Sequence, residues 1–245
     1  MIDIHCHILP DVDDGPKSWD VSLEMCRMAA ADGITHIVAT PHSNDRYTYD
    51  REAHTATLDR LRALNLGIPE LSLGCDFHLS YDNLQDVLAT PERYTINGSR
   101  YLLVELSDYG IPMQIADCFL KLGDRGVTAV ITHPERNNIL RQNPQRVLEW
   151  VELGCIVQVT ANALTGFWGQ RVARVAAWLL EREAVHVLAT DAHDMQSRIP
   201  KLSQARDLVA QAFGQDVARA LVEDNPRAIL TGQALPYSPK PVLKG

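Results

Sequence analysis

Nine residues able to bind cations fall at or near the ends of short apolar runs along this chain. His5-Cys6-His7 closes the first run, and Asp14 lies in the loop after it. Pro41-His42 ends the second, Asp76 the third, and Glu105 sits near the end of the fourth. The fifth leads into Thr132-His133-Pro134-Glu135-Arg136 and the seventh into Asp191-Ala192-His193. In an extended segment residues two apart point the same way, so His5 with His7, and Asp191 with His193, can each aim two donors at one point. One ion takes about four to six ligands and a catalytic site keeps a position for water, so nine donors imply two or three divalent ions bridged by carboxylates. Imidazole and carboxylate without thiolate favour Mn, Fe or Zn. Such ions make water nucleophilic near neutral pH, which serves hydrolysis. Arg136 and Arg198 stand close in sequence to His133 and His193. Guanidinium beside metal calls for an intervening anion, and a phosphoryl group accepting bidentate hydrogen bonds fills that role. The competing expectation is a structural ion pair with a nearby acid such as Glu135 or Asp194.

Donors so far apart in sequence need a scaffold that gathers strand ends. Candidate strands cover residues 2–5, 34–40, 71–75, 102–106, 127–132, 155–160 and 185–190. Several are apolar on consecutive positions, as parallel strands covered on both faces are. Helical stripes lie between them: Val21, Met25, Met28 and Ala29; Ile115, Ala116, Phe119 and Leu120; Val172, Val175, Ala176, Leu179 and Leu180. Ser18 and Gly33 bracket the first helix, Pro112 suits the start of another with Gly123 and Gly126 at its end, and Asn143-Pro144 and Gly154 bound a third. Repeated strand–helix units imply parallel pairing with right-handed crossovers. The length suits one α/β barrel domain, 1–245, with an irregular tail from about Gln233. In such barrels the chemistry sits at the carboxyl ends of the strands.

With 46% hydrophobic and 22% charged residues, fibrous and disordered classes are excluded. The net charge of −8 repels phosphate backbones, so nucleic acid is not an expected partner and an anionic substrate needs its own cationic pocket. Five scattered cysteines without C-x-x-C fit a reducing cytoplasm rather than a disulfide framework. The sequence shows no secretory leader and no run of about 18 apolar residues, so neither export nor membrane insertion is expected. It also carries no phosphate-binding loop, dinucleotide fingerprint, serine nucleophile elbow or thiolate cradle. Asp11-Val12-Asp13-Asp14-Gly15 departs from a calcium loop, with Ser22 where a bidentate Glu is required. His36, His54 and His186 read as structural, and His78 is left open. Residues 45–51, with Tyr47 and Tyr49, read as a surface loop or a rim that contacts substrate.

Taken together, Met1-Ile2-Asp3-Ile4-His5-Cys6-His7, Asp11-Val12-Asp13-Asp14-Gly15-Pro16-Lys17-Ser18, Thr40-Pro41-His42, Leu103-Val104-Glu105-Leu106-Ser107, His133-Pro134-Glu135-Arg136, Ala189-Thr190-Asp191-Ala192-His193 and Asn225-Pro226-Arg227 form a pattern. It resembles the polymerase-and-histidinol-phosphatase (PHP) superfamily and, within it, the metal-dependent protein-tyrosine phosphatases of bacterial capsule and exopolysaccharide loci. The resemblance runs from Met1 to about Leu230. It implies a distorted TIM-like (β/α)7 barrel, the PHP fold, and a trinuclear centre made by His5, His7, Asp14, His42, Asp76, Glu105, His133, Asp191 and His193. Arg136 and Arg198 would hold phosphate. One position departs: the third-strand acid, usually Glu in the group, is Asp76, one methylene shorter.

The resulting expectation is a metal-dependent phosphomonoester hydrolase, a protein-tyrosine phosphatase acting on a bacterial tyrosine kinase that controls polysaccharide export. The kinase partner comes from the resemblance alone. A metal-bridging hydroxide would attack phosphorus in line without a covalent phosphoenzyme, while the ions and both arginines neutralise equatorial oxygens. A phenol leaving group, with a pKa of about 10, needs little protonation. His42 or a coordinated water is the candidate proton donor. Two or three divalent ions are expected, Mn first and Fe or Zn as alternatives. Competing expectations are a small-molecule PHP phosphatase of the histidinol-phosphatase kind and a non-catalytic phosphoprotein-binding module with a site weakened by Asp76.

Overall fold

The computed structural model describes residues 1–65 and 69–241. Its strands are β1 (Ile2–Cys6), β2 (His36–Ala39), β3 (His42–Ser43), β4 (Glu70–Leu73), β5 (Asp76–His78), β6 (Tyr101–Glu105), β7 (Thr128–Thr132), β8 (Ile156–Thr160) and β9 (Val187–Ala189). The helices are α1 (Trp19–Ala31), α2 (Arg51–Leu64), α3 (Tyr81–Ala89), α4 (Ile115–Asp124), α5 (Gln145–Glu152), α6 (Ala161–Leu164), α7 (Gln170–Glu181), α8 (Ser203–Phe213), α9 (Gln215–Arg219) and α10 (Asn225–Thr231). Every ladder is parallel, in the orders β1-β2-β4 and β3-β5-β6-β7-β8-β9.

The second and third of the seven expected strands are each broken in two. The chain leaves β2 at Thr40-Pro41 before β3 and leaves β4 at Gly74-Cys75 before β5. Proline cannot donate to a ladder. At Gly74 a Cβ would lie 3.0 Å from Ile96 and 3.2 Å from Val38, so a larger residue would press on both side chains. Each break transfers a strand from one sheet to the other. Asp76, expected to end a strand, therefore opens β5 and pairs in register with His42 of β3.

The first and last strands meet through a bridge between Cys6 and Ala192. His7 N–H donates to the Ala192 carbonyl at 2.9 Å and Asp191 N–H to the His5 carbonyl at 2.8 Å. Below that bridge the fully buried Asp3 carboxylate accepts from the Thr190 N–H, at 3.0 Å, and from its hydroxyl. Strand positions thus follow chain order around a distorted barrel, with a seam between β1 and β9 that is thin compared with the other ladders.

Alternation sorts the side chains into two cores. Ile2, Ile4, Val38, Tyr101, Leu103, Val130, Ile156, Val187 and Ala189 form an inner cluster with Ile96 and Ile229, while Ile37, Ala39, Leu102, Val104, Ala129, Ile131, Val157, Val159 and Leu188 pack outward against the helices. In β1 the alternation breaks. Ile2 and Ile4 belong to the inner cluster but Cys6 to the outer one, and the β1–β2 register shifts between Asp3 and Cys6. Such an irregularity re-aims the side chains beyond it.

Among the helices, α1 is capped as its sequence implies, with Ser18 accepting from the Val21 N–H at 3.4 Å. In α4 the buried stripe is Ile115, Phe119 and Leu122, whereas Leu120 is 49% exposed. Spacing by four and three runs through 115, 119 and 122, so the expected stripe through Ala116 and Leu120 is rotated out of register. Pro112 precedes this helix and Gly123 lies inside it. Among the described residues no helix is long and apolar enough to cross a membrane.

Candidate metal centre

Above the inner apolar cluster, donor atoms of all nine expected residues meet in four overlapping groups. These are His7, Asp14, His42 and His193; His5, His7 and Asp76; His5, His133 and Asp191; and His42, Asp76 and Glu105. Each arrives by a local device. The β1 irregularity encloses His5 and precedes His7, the two strand breaks present His42 and Asp76, and alternation from Leu103 carries Glu105 to the mouth of the barrel. His133 and Asp191 follow their strands with φ of 35° and 50°. Left-handed backbone costs a non-glycine residue roughly 1–2 kcal/mol, and strain of this kind gathers at functional positions.

Further side chains fix the imidazoles. His7 Nδ1 lies 2.7 Å from Asp13 Oδ2, whose carboxylate also accepts from the N–H groups of Gly15, at 2.9 Å, and His42, at 3.2 Å. Gly15 has no alternative there, because a Cβ would sit 2.6 Å from the His7 carbonyl oxygen. His5 Nδ1 lies 3.1 Å from Gln158 Oε1, and His193 Nδ1 lies 3.0 Å from the Asp191 carbonyl. In all three the Nε2 atom is left facing carboxylates: 3.4 Å from Asp191 for His5 and His7, and 3.2 Å from Asp14 for His193. Neutral imidazole with one nitrogen so held presents a lone pair from the other.

Burial opposes every charge here, yet the carboxylates win. His5 and His42 hold Asp76 well below the usual carboxylate range against its burial, and Arg136, Arg198 and His5 do the same for Asp191. In return, Asp76 and Asp191 raise His5 to about 9, and Asp14 and Asp76 raise His42 to about 11, again against burial. His193 goes the other way, to about 4, through burial and the neighbouring His7. Carboxylates that hold protons on imidazoles this firmly suit a divalent cation in the same space. Both oxygens of Asp76, His42 Nδ1 and His193 Nε2 are buried and form no aligned hydrogen bond, although His42 Nδ1 and His193 Nε2 lie 3.1 and 3.2 Å from a carboxylate oxygen, which fits donors aimed at ions. Although short, Asp76 comes within 3.1 Å of His42 and 3.5 Å of His5.

Arg136 and Arg198 both pair with Asp191 Oδ2, so the ion pair with a nearby acid is present, with Asp191 in place of Glu135 or Asp194. Asp194 instead accepts from backbone N–H groups of residues 196–198, and Glu135, fully buried, accepts from the Thr160 N–H at 2.9 Å. Both guanidinium groups also lie over Trp168, at 4.3 and 5.8 Å from a ring centroid, and the indole N–H donates to Asn162. Asp13, Gln158 and Trp168 were missed by sequence reasoning. Asp13 carried a signal, as an acid beside Asp14 in a glycine-closed turn; the other two carried none.

Of the remaining histidines, His78 pairs with Glu105 at 3.3 Å at the edge of the cluster. His36 bonds Ser72, His54 packs edge-on against Tyr49, and His186 accepts from the Val157 N–H, all away from the nine donors. Tyr47 stacks on His42 with ring centroids 5.9 Å apart, whereas Tyr49 is a core residue bonded to the Gly74 carbonyl and no part of a rim. A cavity of about 280 Å³ opens beside the cluster, bounded by Glu105, His133, Arg136, Asn138, Arg141 and Trp168 among others.

Comparison with known proteins agrees with this geometry. The family model described as "Capsular polysaccharide synthesis, CpsB/CapC" matches residues 1–231. Tyrosine-protein phosphatase YwqE of Bacillus subtilis is 33% identical over all of this chain and 97% of its own length. Tyrosine-protein phosphatase CpsB of Streptococcus pneumoniae is 33% identical over 96% of this chain and all of its own. A crystal structure from work on YwqE and CpsB, described as unique metal-dependent tyrosine phosphatases, superposes over the whole of both chains with a TM-score of 0.92 at 31% identity. The match covers every strand and every one of the nine donors, and the chain belongs to the CpsB/CapC family of capsular polysaccharide synthesis.

Proposed function

We propose that this chain is a metal-dependent protein-tyrosine phosphatase that uses its whole length as one catalytic unit. The observation that carries the reading is the convergence of nine imidazole and carboxylate donors, in four overlapping groups, beside two arginines that share one carboxylate. Four groups suit two or three divalent ions, Mn first and Fe or Zn as alternatives. When bound, such ions acidify water and draw charge from a phosphoryl group.

The chain's own residues do the rest. Arg136 and Arg198, with Trp168 beneath them, would turn from Asp191 to equatorial phosphoryl oxygens, where planar guanidinium gives paired hydrogen bonds. Asp13 and Gln158 keep His7 and His5 turned toward the cluster. His42 has both ring nitrogens against carboxylates, Asp14 at 3.4 Å and Asp76 at 3.1 Å, which suits a ligand better than a mobile proton donor. A departing phenolate tolerates that arrangement. The substrate proposed is phosphotyrosine in a bacterial tyrosine kinase governing polysaccharide export, met in the cytoplasm, where buried free thiols such as Cys6 and Cys75 persist.

Metal analysis of purified protein, combined with turnover of a phosphotyrosyl peptide and of histidinol phosphate under Mn, Fe or Zn, tests this. Preferential release of phosphate from the peptide is expected. Turnover confined to histidinol phosphate would point to a small-molecule phosphatase, and peptide binding without any release to a binding module.

A further inference from the structure

We infer that an arginine-lined groove beside the metal centre binds a second anionic group on the phosphopeptide, an inference that rests on the phosphatase reading. Arg141, Arg171 and Arg174 line a cavity of about 460 Å³ together with Asn138, Gln142 and Val175. Asn138 and Arg141 also line the smaller cavity that holds Glu105, His133 and Arg136, so the groove leads directly away from the centre.

The charge of this groove stands against that of the molecule. At a net charge of −8 acids are plentiful, and arginines elsewhere on the surface pair with them, as in Arg27–Glu24, Arg62–Asp59, Arg206–Asp207 and Arg227–Glu223. Among the described residues neither Arg141, Arg171 nor Arg174 has an acidic partner, and no carboxylate lines the outer cavity. Their bonds are to neutral oxygens: Arg141 to the Asn138 side chain and Arg174 to the Gln170 carbonyl. Arg171 and Arg174 are exposed and three apart on α7, hence on one face of the helix. Three guanidinium groups left without counter-charge in one concavity offer charge-assisted hydrogen bonds to an anion that the substrate brings. In the phosphatase reading Arg136 and Arg198 take the scissile phosphoryl group, so the occupant of the groove is a further carboxylate or phosphate on the same peptide.

The test compares three phosphotyrosyl peptides of one core sequence: neutral, carrying two added glutamates, or carrying a second phosphotyrosine. Wild type should favour an anionic peptide over the neutral one by roughly fivefold to tenfold in kcat/KM at low salt, mostly through KM, and less at high salt. Preference for both anionic peptides assigns the groove to anions in general, and preference for the second phosphotyrosine alone assigns it to phosphate. The Arg171→Gln/Arg174→Gln double variant should bring the peptides to within about twofold of one another while hydrolysing p-nitrophenyl phosphate like wild type. Equal use of the three peptides by wild type, or a preference that survives in the double variant, overturns the inference and leaves the phosphatase reading standing. Loss of turnover on every phosphopeptide, with p-nitrophenyl phosphate still cleaved, removes the protein substrate and the groove's role together.

Discussion

Trp168 lies under both guanidinium groups proposed to grip the phosphoryl group, so its value should show in substrate binding. Two partly exposed cation–π contacts are worth about 0.5–1 kcal/mol each. Replacing Trp168 by Ala should raise KM for p-nitrophenyl phosphate by about fivefold to thirtyfold with a smaller change in kcat, and Trp168→Phe should recover most of the loss. Equal KM values for the Ala variant and wild type would show that the arginines hold themselves. The residue could not have been picked out beforehand, because it sits in the loop between α6 and α7 at no telling interval from any donor. The convergence of the other nine side chains was legible for the opposite reason: imidazoles and carboxylates recur at or near the places where apolar runs stop. Asp13 lay in between, since one of two adjacent acids had to face the loop and spacing did not say which.

At the scale of elements, apolar runs located the strands, but period-two alternation failed where the fold departs from it. In β1 the register shift between Asp3 and Cys6 moves Cys6 out of the inner set to which Ile2 and Ile4 belong. The breaks in the second and third strands depend on Pro41 and on the close approach at Gly74, and the latter is invisible without the neighbours Ile96 and Val38. At the opposite end of the barrel, His186 immediately precedes β9 with its Nδ1 accepting from the Val157 N–H, and burial lowers its pKa to about 4. The folded state therefore disfavours the proton that the unfolded chain takes up below about 6.5. The associated stability is complete above that value and falls as pH drops from about 6.5 toward 4, by about 2 kcal/mol between pH 7 and pH 5. Urea unfolding at both pH values should show His186→Gln, which can still accept from Val157, losing less over that interval than wild type. Parallel losses in the two proteins would assign the acid sensitivity to other groups.

For the whole molecule, the consequential feature is the seam. Where other neighbouring strands share ladders, β1 and β9 are held by the Cys6–Ala192 bridge, its flanking hydrogen bonds and the Asp3–Thr190 contacts. The donor groups straddle that seam, with His5 and His7 on one side and Asp191 and His193 on the other. Ions bound there would tie the two edges together, and ligand linkage makes such binding a stability term. Stripping metal with a chelator should lower the thermal midpoint by on the order of 10 °C, with the increase in amide exchange concentrated in β1 and β9, and Mn should restore both. An unmoved midpoint would mean that the cluster contributes chemistry alone. Because β1 and β9 lie far apart in the chain, a ribosome making this protein must add nearly two hundred residues before His7 can meet His193. A translation product that stops before β9 carries the residues of two of the four groups, His5 with His7 and Asp76, and His42 with Asp76 and Glu105, but has nothing to set against β1 across the seam.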